Sequence, residues 1–234
     1  KIGVYIDLNT GMNRTGAAPL KALALAAYVQ SLQNVTLVGL HAYDGHIRDT
    51  DIVSRRQKSD EAFQQVWRLK QKFEEQNQSN LKIIVGGTPT FPTHAQRKDV
   101  ECSPGTFVFS DWGYKHLLPD EPFEYAALVI TRVISIIDEQ TLCTDLGHKS
   151  VAAENPLPRV HFLNAPDAVP TGQSEEHLVL KVADATAYCL GDVLYGVPVH
   201  ICPTVALYDT AHVVTENKIA TTWKVMARKR IINF

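Results

Sequence analysis

The sequence contains no long hydrophobic run and no excess of charge of one sign. Its longest apolar stretch, residues 22–29, is far shorter than the roughly 20 residues of a membrane-spanning helix. Lysine and arginine total 23 against 25 aspartate and glutamate, a formal net charge of −2. That balance excludes a generally basic surface of the kind that binds nucleic acid. We therefore expect neither a membrane nor a nucleic acid as a partner.

Cysteine is also scarce. The four cysteines, Cys102, Cys143, Cys189 and Cys202, are widely spaced, which favours a reduced protein over a disulfide scaffold. The start of the chain shows no basic segment followed by an apolar block, the pattern of a secretory signal. We therefore expect a cytoplasmic protein. Because the chain begins with Lys1 rather than Met and runs directly into a predicted strand, we also expect it to be part of a longer protein.

The first half of the chain alternates strands and helices. Short apolar runs predict strands at 2–8, 36–43, 81–85 and 99–102, with helices at 19–30 and 51–76. The second helix has apolar residues at a spacing typical of one buried face, namely Ala62, Val66, Leu69 and Phe73. Repeated strand–loop–helix units indicate a parallel α/β sheet or barrel.

The second half of the chain shows a pattern of strands without intervening helices. Runs rich in β-branched residues predict strands at 126–137, 142–146, 177–182, 200–207 and 219–227, and clusters of proline and glycine separate them. Four α/β strands cannot close a (β/α)8 barrel, which has eight strands and roughly 250 residues. The sheet is either open or lacks the first half of a barrel, and the start inside a strand favours the second. The predicted fold class is α/β plus all-β: a partial (β/α)8 TIM-like barrel over 1–124, followed by a β-rich domain over 125–234.

Each α/β strand runs into a loop of unusual chemistry. These loops are GMNRTG at 11–16, AYDGH at 42–46, GGTPT at 86–90 and SPGT at 103–106. In a parallel barrel they would share the face where sites are built. Glycine backbone and threonine hydroxyls are suited to holding a phosphate. The plain alternative is an ordinary turn, and a Walker loop is excluded because no GK[ST] follows.

His200 and Cys202 form the sharpest local pattern. On a strand, residues two apart point to the same face, so an imidazole and a thiolate would converge, and both are good zinc ligands. The pair lacks the four-ligand spacing of a structural zinc site, so a buried pair that binds no metal is the alternative.

Two further polar side chains are weaker candidates. Arg14, flanked by Gly11 and Gly16, suits an anionic carboxylate or phenolate, although a solvated surface arginine is the plain alternative. His148, in DLGHKS at 145–150, follows a predicted strand and could reach a site, but loop histidines more often have no such role.

Taken in order, these segments resemble the fold-type III pyridoxal-phosphate (PLP) enzymes, in the branch of D-threonine aldolase and D-serine dehydratase that is related to alanine racemase. The resembling segments are TGMNRTG (10–16), GLHAYDGH (39–46), VGGTPTFP (85–92), ECSPGTFVFSDWGY (101–114), DLGHK (145–149) and VPVHICPTVALYD (197–209). Singly most are weak, but together they run collinearly across almost the whole chain.

The resemblance implies a fold, cofactors and an assembly. It implies an N-terminal (β/α)8 barrel, of which this chain has about the last four strands, and a C-terminal β domain, in a head-to-tail homodimer. It implies PLP, with its phosphate held by Gly86, Gly87, Thr88, Gly105 and Thr106. Tyr43 and His46 would lie by the pyridine ring. Arg14 would lie near the phenolic oxygen or the substrate carboxylate.

The resemblance also implies a divalent metal, zinc or manganese, on His200 and Cys202. Ser103 stands where alanine racemase has an arginine facing the pyridine nitrogen. A neutral residue there would leave that nitrogen unprotonated, which disfavours racemase chemistry. The family's Schiff-base lysine lies on the first barrel strand, and no lysine of this chain matches its motif. The chain by itself is therefore expected to be inactive, and a catalytically incomplete fragment is one hypothesis.

For the full-length protein the resemblance implies a lyase acting on a small D-3-hydroxy amino acid. A D-threonine aldolase-like reaction would give glycine and an aldehyde. A D-serine dehydratase-like reaction would give a 2-oxo acid and ammonia. GGTPTFP and PTVALYD resemble the aldolases, whereas the thiol of Cys202 resembles the dehydratases. The aldolase is the preferred hypothesis and the dehydratase the alternative.

Overall fold

The computed structural model describes residues 1–76, 81–229 and 231, which form two compact units. The first unit comprises Lys1–Phe107 and Leu117–Pro122, and the second comprises Val108–His116 and the described residues from Phe123 onward. Among the described residues, no helix combines the length and the apolar composition needed to cross a membrane.

The first unit is built on a four-stranded parallel sheet. Its strands lie side by side in chain order: β1 (Ile2–Asp7), β2 (Val35–Ala42), β3 (Lys82–Val85) and β4 (Glu101–Cys102). Parallel neighbours in chain order need a crossover connection after each strand. The four strands predicted in this half are therefore confirmed, and their carboxyl ends lie along one edge of the sheet.

Two helices cover this sheet. The first, α1 (Pro19–Ser31), has proline in its first turn, where the missing N–H is not needed. The second, α2 (Ile52–Glu75), begins at Asp51, whose carboxylate accepts a hydrogen bond from the Ser54 N–H at 2.7 Å. The predicted inner face of α2 is confirmed, because all four of its apolar residues are buried. Val66, Leu69 and Phe73 pack in one core with residues of the strands and of α1, including Ile6, Leu40, Ile83, Ala22 and Ala26.

The second unit is mainly antiparallel. One sheet consists of the six strands β5 (Val129–Asp138), β6 (Thr141–Thr144), β7 (Val160–Phe162), β8 (Val169–Gln173), β9 (Leu178–Lys181) and β10 (Val193–Pro198). Their order across the sheet is β7-β10-β5-β6-β9-β8. A separate hairpin joins β11 (Thr210–Thr215) to β12 (Lys218–Lys224). Glu216 and Asn217 both have positive φ, as a two-residue turn with the twist of a hairpin requires.

The prediction of a strand at 200–207 is wrong. Residues Ile201–Val205 form a short helix, α5, and His200 lies at its N-terminal boundary. The β-branched residues favoured a strand, but Pro203 is in the first turn of a helix, where no intrahelical bond needs its N–H. The other four strands predicted in this half are confirmed as β5, β6, β9 and β12.

Sequence reasoning missed four strands and several short helices. Strands β7, β8, β10 and β11 lie in stretches that proline and glycine had marked as connections or that were left unassigned. The missed α-helices are α3 (Phe91–His94) and α4 (Trp112–Leu117). All of these elements have ten residues or fewer, too short for a periodic pattern to identify reliably.

The first unit buries a carboxylic acid that has an incomplete set of partners. Glu121 is 6% exposed, and its Oε1 has no hydrogen-bond partner within the described part of the chain. The nearby guanidinium of Arg55 donates instead to the Asp120 carboxylate and to the carbonyl oxygens of Asp49 and Thr50. Burial raises the pKa of Glu121 from 4.5 to about 7, although the positive charge of Arg55 opposes the shift.

The contribution of Glu121 to the stability of the folded protein should therefore fall as pH rises between about 5 and 8. The pKa of Glu121 is higher in the folded than in the unfolded chain, so its contribution is complete at low pH and is lost as pH rises through about 7. Replacing Glu121→Gln should stabilise the protein more at pH 8 than at pH 5. The change that it makes in the free energy of unfolding should be larger at pH 8 by roughly 1–3 kcal/mol. Urea unfolding at both pH values measures this difference. The exposed Glu75→Gln is the matched control, and an equal effect of Glu121→Gln at both pH values would contradict the assignment.

Candidate functional site

In the first unit, the loops that follow β2 and β3 are joined by one carboxylate. Asp44 is 3% exposed, and its Oδ1 accepts hydrogen bonds from the Gly87 N–H at 3.2 Å and from the Thr90 hydroxyl at 2.7 Å. Its Oδ2 lies 2.9 Å from Nε2 of the buried His94. The segments AYDGH and GGTPT therefore form a single structure at the edge of the sheet.

Glycine is required where these loops approach each other. Gly86 has φ +83°, and a Cβ there would lie 2.7 Å from Cδ2 of His94. A Cβ on Gly87 would lie 2.8 Å from Cε2 of Tyr43. The N–H groups of both glycines are bonded within the protein, that of Gly86 to the Ala42 carbonyl oxygen at 3.0 Å. These glycines therefore offer close backbone approach rather than hydrogen-bond donors.

The loop after β4 lies directly against GGTPT. The Phe107 N–H donates to Oγ1 of Thr88 at 3.3 Å, and the rings of Phe91 and Phe107 stack with centroids 5.7 Å apart. Ser103 donates its hydroxyl to the Gly86 carbonyl oxygen at 3.0 Å. Gly105, which precedes the short helix Thr106–Val108, faces open space at its Cβ position. The two predicted phosphate loops are thus neighbours.

The remaining predicted residues of the first unit lie near the same loops. The guanidinium of Arg14 is 4.9 Å from the ring centroid of Tyr43, and Tyr43 packs against Gly87. His46 is exposed and lies against the turn after β1, because a Cβ on Gly11 would be 2.5 Å from its Nε2. The structure therefore groups Arg14 with Tyr43 and places His46 beside Gly11.

In the second unit, His200 and Cys202 are close, although not for the reason the sequence suggested. The predicted strand is absent, and the first turn of α5 carries Cys202 beside the imidazole at its boundary. Hydrogen bonding to the Cys202 side chain raises the pKa of His200 to about 9; burial opposes this shift, and Glu154 adds to it. Glu154 Oε1 lies 2.5 Å from Nδ1 of His200. Within the described residues, no group of three or more histidine, cysteine, aspartate or glutamate side chains is arranged to hold a metal ion.

A second carboxylate fixes the backbone between these two side chains. Asp111 is 1% exposed, and its Oδ2 accepts the Ile201 N–H at 3.0 Å. Its Oδ1 accepts the Tyr114 N–H at 2.8 Å. Burial raises the pKa of Asp111, while these two N–H groups and the charge of His200 oppose that shift. Because His200 does not cap α5 with its own side chain, Asp111 stands in for the missing cap.

His148 lies elsewhere in the second unit. It is exposed, and its N–H donates to the Ser174 carbonyl oxygen at 2.8 Å. Glu176 is nearby. Its described contacts therefore lie in this loop region and do not include His200, so its role in a site stays a prediction.

Sequence reasoning missed three carboxylates: Asp44, Asp111 and Glu154. The first two stand inside segments that were recognised, AYDGH and SDWGY, but each was passed over between more conspicuous neighbours. Nothing in the sequence marked Glu154, which reaches His200 from 46 residues away.

Two family models match the chain. Residues 1–111 match the model described as "Alanine racemase, N-terminal domain", and residues 126–214 match the one described as "Putative serine dehydratase domain". Together they span most of the sequence, in the order that the resemblance predicted.

Curated relatives and solved structures agree with these matches. A D-threonine aldolase of Arthrobacter sp is 30% identical over 97% of this chain, and a 3-hydroxy-D-aspartate aldolase of Paracoccus denitrificans (strain Pd 1222) is 25% identical over 97%. The chain spans 61% of the length of each. The crystal structure of D-threonine aldolase from Filomicrobium marinum has a TM-score of 0.89 at 26% identity, covering 97% of this chain and 63% of that one. D-threo-3-hydroxyaspartate dehydratase from Delftia sp. HT23 has a TM-score of 0.74 at 21% identity, covering 95% and 65%.

The fold is therefore alanine racemase-like, and the resemblance read from the sequence is confirmed. The proteins that this chain is similar to lie among the fold-type III pyridoxal-phosphate enzymes, in the branch of D-threonine aldolase and D-serine dehydratase.

Proposed function

We propose that the full-length protein is a PLP- and metal-dependent lyase that cleaves D-3-hydroxy amino acids to glycine and an aldehyde. The observation that carries the proposal is the contact of His200 with both Cys202 and Glu154 in the second unit. An imidazole and a thiol that meet outside the hydrophobic core are suited to a metal. The aldolase names of the two relatives support the reaction.

The first unit fits a bound PLP. The loops 86–90 and 103–106 are adjacent, and their glycines allow the close approach that a phosphate group needs. In this proposal the phosphate is held by Gly86, Gly87, Thr88, Gly105 and Thr106. Tyr43 and His46 lie by the pyridine ring. When bound, PLP supplies an electron sink for the bonds at the substrate's Cα.

Arg14 and Ser103 would set the charges around the cofactor. The guanidinium of Arg14 lies over the Tyr43 ring, which keeps a permanent positive charge available for the phenolic oxygen or for the substrate carboxylate. The hydroxyl of Ser103 donates to the Gly86 carbonyl and brings no positive or negative charge. A neutral group at the pyridine nitrogen favours cleavage assisted by a metal over racemisation, because the ring alone is then a weaker electron sink.

The second unit fits a divalent metal, zinc or manganese. His200 and Cys202 would be its protein ligands, and a site with so few ligands leaves coordination positions open for a substrate. Because Glu154 contacts Nδ1 of His200, Nε2 is the ring nitrogen left for the metal. A carboxylate behind a metal-bound histidine fixes the ring and increases its basicity. Such a metal would supply a Lewis acid for the substrate's 3-hydroxyl.

The second candidate is a dehydratase. Cys202 favours it, because a thiol at this position resembles the dehydratases of the branch. The same residues would serve a reaction that releases the 3-hydroxyl after loss of the Cα proton and gives a 2-oxo acid and ammonia. A further hypothesis, that the chain without the family's lysine is catalytically incomplete, concerns this chain by itself and not the full-length protein. His148 remains a candidate catalytic residue only by resemblance, and a homodimer remains a proposal on the same basis.

Product analysis separates the two reactions. The full-length protein, supplied with PLP, a divalent metal and D-threonine, should release acetaldehyde and glycine in equal amounts. Chromatography of the derivatised products, with L-threonine as the control substrate, measures this. Accumulation of 2-oxobutyrate and ammonia in place of glycine would establish the dehydratase and reject the aldolase.

The metal assignment has its own test. The double replacement His200→Ala with Cys202→Ala should abolish chelator-sensitive activity and metal content while PLP stays bound, because the cofactor's proposed ligands lie in other loops. Metal analysis and the absorbance of bound PLP measure the two properties separately. The exposed Cys189→Ala, alone and together with His212→Ala on the hairpin, serves as the matched control. Full activity in the double variant would exclude His200 and Cys202 as metal ligands.

Glu154 should tune the metal site without being a ligand. Replacing Glu154→Gln removes the charge next to Nδ1 of His200 and should weaken metal affinity roughly 10- to 100-fold. Competition for Zn²⁺ with a chromogenic chelator measures the dissociation constant. The exposed Glu139→Gln is the control for a general loss of negative charge. An unchanged dissociation constant in Glu154→Gln would show that this contact does not support a metal ligand.

A further inference from the structure

Asp44 is a buried carboxylate, and each of its two oxygens has at least one hydrogen-bond partner. It is 3% exposed, and the Gly87 N–H, the Thr90 hydroxyl and Nε2 of His94 all lie within hydrogen-bond distance of its two oxygens. A buried carboxylate is tolerated only where donors replace the water it has lost. All three donors belong to the segment 87–94, which contains the turn assigned to the cofactor phosphate.

The direction of these hydrogen bonds follows from one arginine. Nε of Arg97 lies 3.1 Å from Nδ1 of His94, and a guanidinium can only donate. Nδ1 is therefore the acceptor, and the ring proton is on Nε2, where it faces Oδ2 of Asp44 at 2.9 Å. Oγ of Ser59 lies 3.1 Å from the same nitrogen. Arg97 thus donates a hydrogen bond to His94, and His94 donates one to Asp44, whose carboxylate can only accept.

This chain of hydrogen bonds determines the shape of the turn. Gly86 adopts a positive φ against the ring of His94, and Gly87 lies under Tyr43. With its N–H directed at Asp44, Gly87 is held before any ligand arrives. Thr90, bonded to the same oxygen, holds the other end of the turn. A turn that is already ordered binds a ligand more tightly, because less conformational entropy is lost on binding.

We propose that Asp44 is a positioning residue, acting through Gly87 and Thr90 to preorganise the turn for a phosphate group. It touches neither PLP nor substrate in this proposal. The inference rests on the proposed function, because that function assigns the turn to the cofactor phosphate. It requires that Asp44 affect ligands that carry a phosphate and leave ligands without one unaffected.

Asp44→Asn tests the role of the carboxylate with almost no change in shape. The new amide can still accept the Gly87 N–H through its oxygen, but its NH₂ group faces the donor Nε2 of His94. Losing a hydrogen bond to a buried charge and opposing two donors should weaken PLP binding roughly 10- to 100-fold. Binding of pyridoxal, which has no phosphate, should stay within about twofold by the same reasoning. Tryptophan fluorescence titration of the full-length protein with each compound gives both dissociation constants.

A second substitution that reverses the direction of the hydrogen bonds between residues 97, 94 and 44 should restore PLP binding to D44N. In Arg97→Gln, the side-chain oxygen takes the place of Arg97 Nε along the side chain and can accept from His94. Combined with D44N, it lets His94 carry its proton on Nδ1 and accept the new NH₂ group on Nε2. The double variant should recover PLP affinity to within about threefold of R97Q alone, since all its donors are again matched. R97Q alone is the matched control, because its amide can also turn its NH₂ group toward His94.

The outcomes are distinct. D44N with normal PLP affinity, or with PLP and pyridoxal weakened equally, overturns the positioning role, as does a double variant no better than D44N. Wild-type protein that binds PLP no more tightly than pyridoxal rejects the phosphate assignment itself and the inference with it. If D44N does not fold, Thr90→Val should lower PLP affinity selectively and Thr90→Ser should retain it. Equal affinities in that pair overturn the proposal.

Discussion

The loops at one edge of the first unit's sheet depend on hydrogen bonds to one buried carboxylate. Asp44 follows β2, and its donors all come from the loop and short helices that follow β3. Parallel pairing of β2 with β3 brings the two strand ends to the same edge, but pairing alone leaves the loops free to adopt several shapes. The charge removes that freedom, because any arrangement that withdraws a donor leaves a buried carboxylate uncompensated. The positive φ of Gly86 and the contact of Gly87 with Tyr43 occur in the loop that these hydrogen bonds hold.

In the second unit, too, a buried carboxylate holds an irregular segment in place. Asp111 is buried and accepts the N–H groups of Tyr114 in α4 and of Ile201 at the start of α5, so one carboxylate ties the first turns of two short helices together. His200 and Cys202 flank Ile201, and their closeness depends on that fixed backbone rather than on a regular strand. In both units the segment that the proposed function assigns to a ligand is short and irregular, and a buried carboxylate supplies the order that a long helix or strand would otherwise provide.

The sequence predicted the regular elements well and the irregular ones poorly. The buried stripe of α2 and the four parallel strands were predicted because their periodicity is local and repeats. The prediction of a strand at 200–207 was wrong because it rested on the β-propensity of the local residues, whereas a tertiary contact determines the conformation there. The N–H of Ile201 donates to Asp111, which is 90 residues away in the sequence. Asp44 and Glu154 were missed for the same reason, since Asp44 meets His94 across 50 residues and Glu154 meets His200 across 46. Collinear motifs found the loops, but only the structure could show what holds them.

Fold and reaction are specified by different parts of such a protein. Structures named as an aldolase and as a dehydratase both superimpose on this chain with high TM-scores, so one framework accommodates either outcome. The two proposed reactions differ in which bond of the substrate breaks. Removing the hydroxyl proton leads to cleavage between Cα and Cβ, whereas removing the Cα proton leads to loss of the hydroxyl group. The few groups that exchange protons with the substrate therefore determine which reaction occurs. The buried carboxylates that order the loops are needed equally for either reaction.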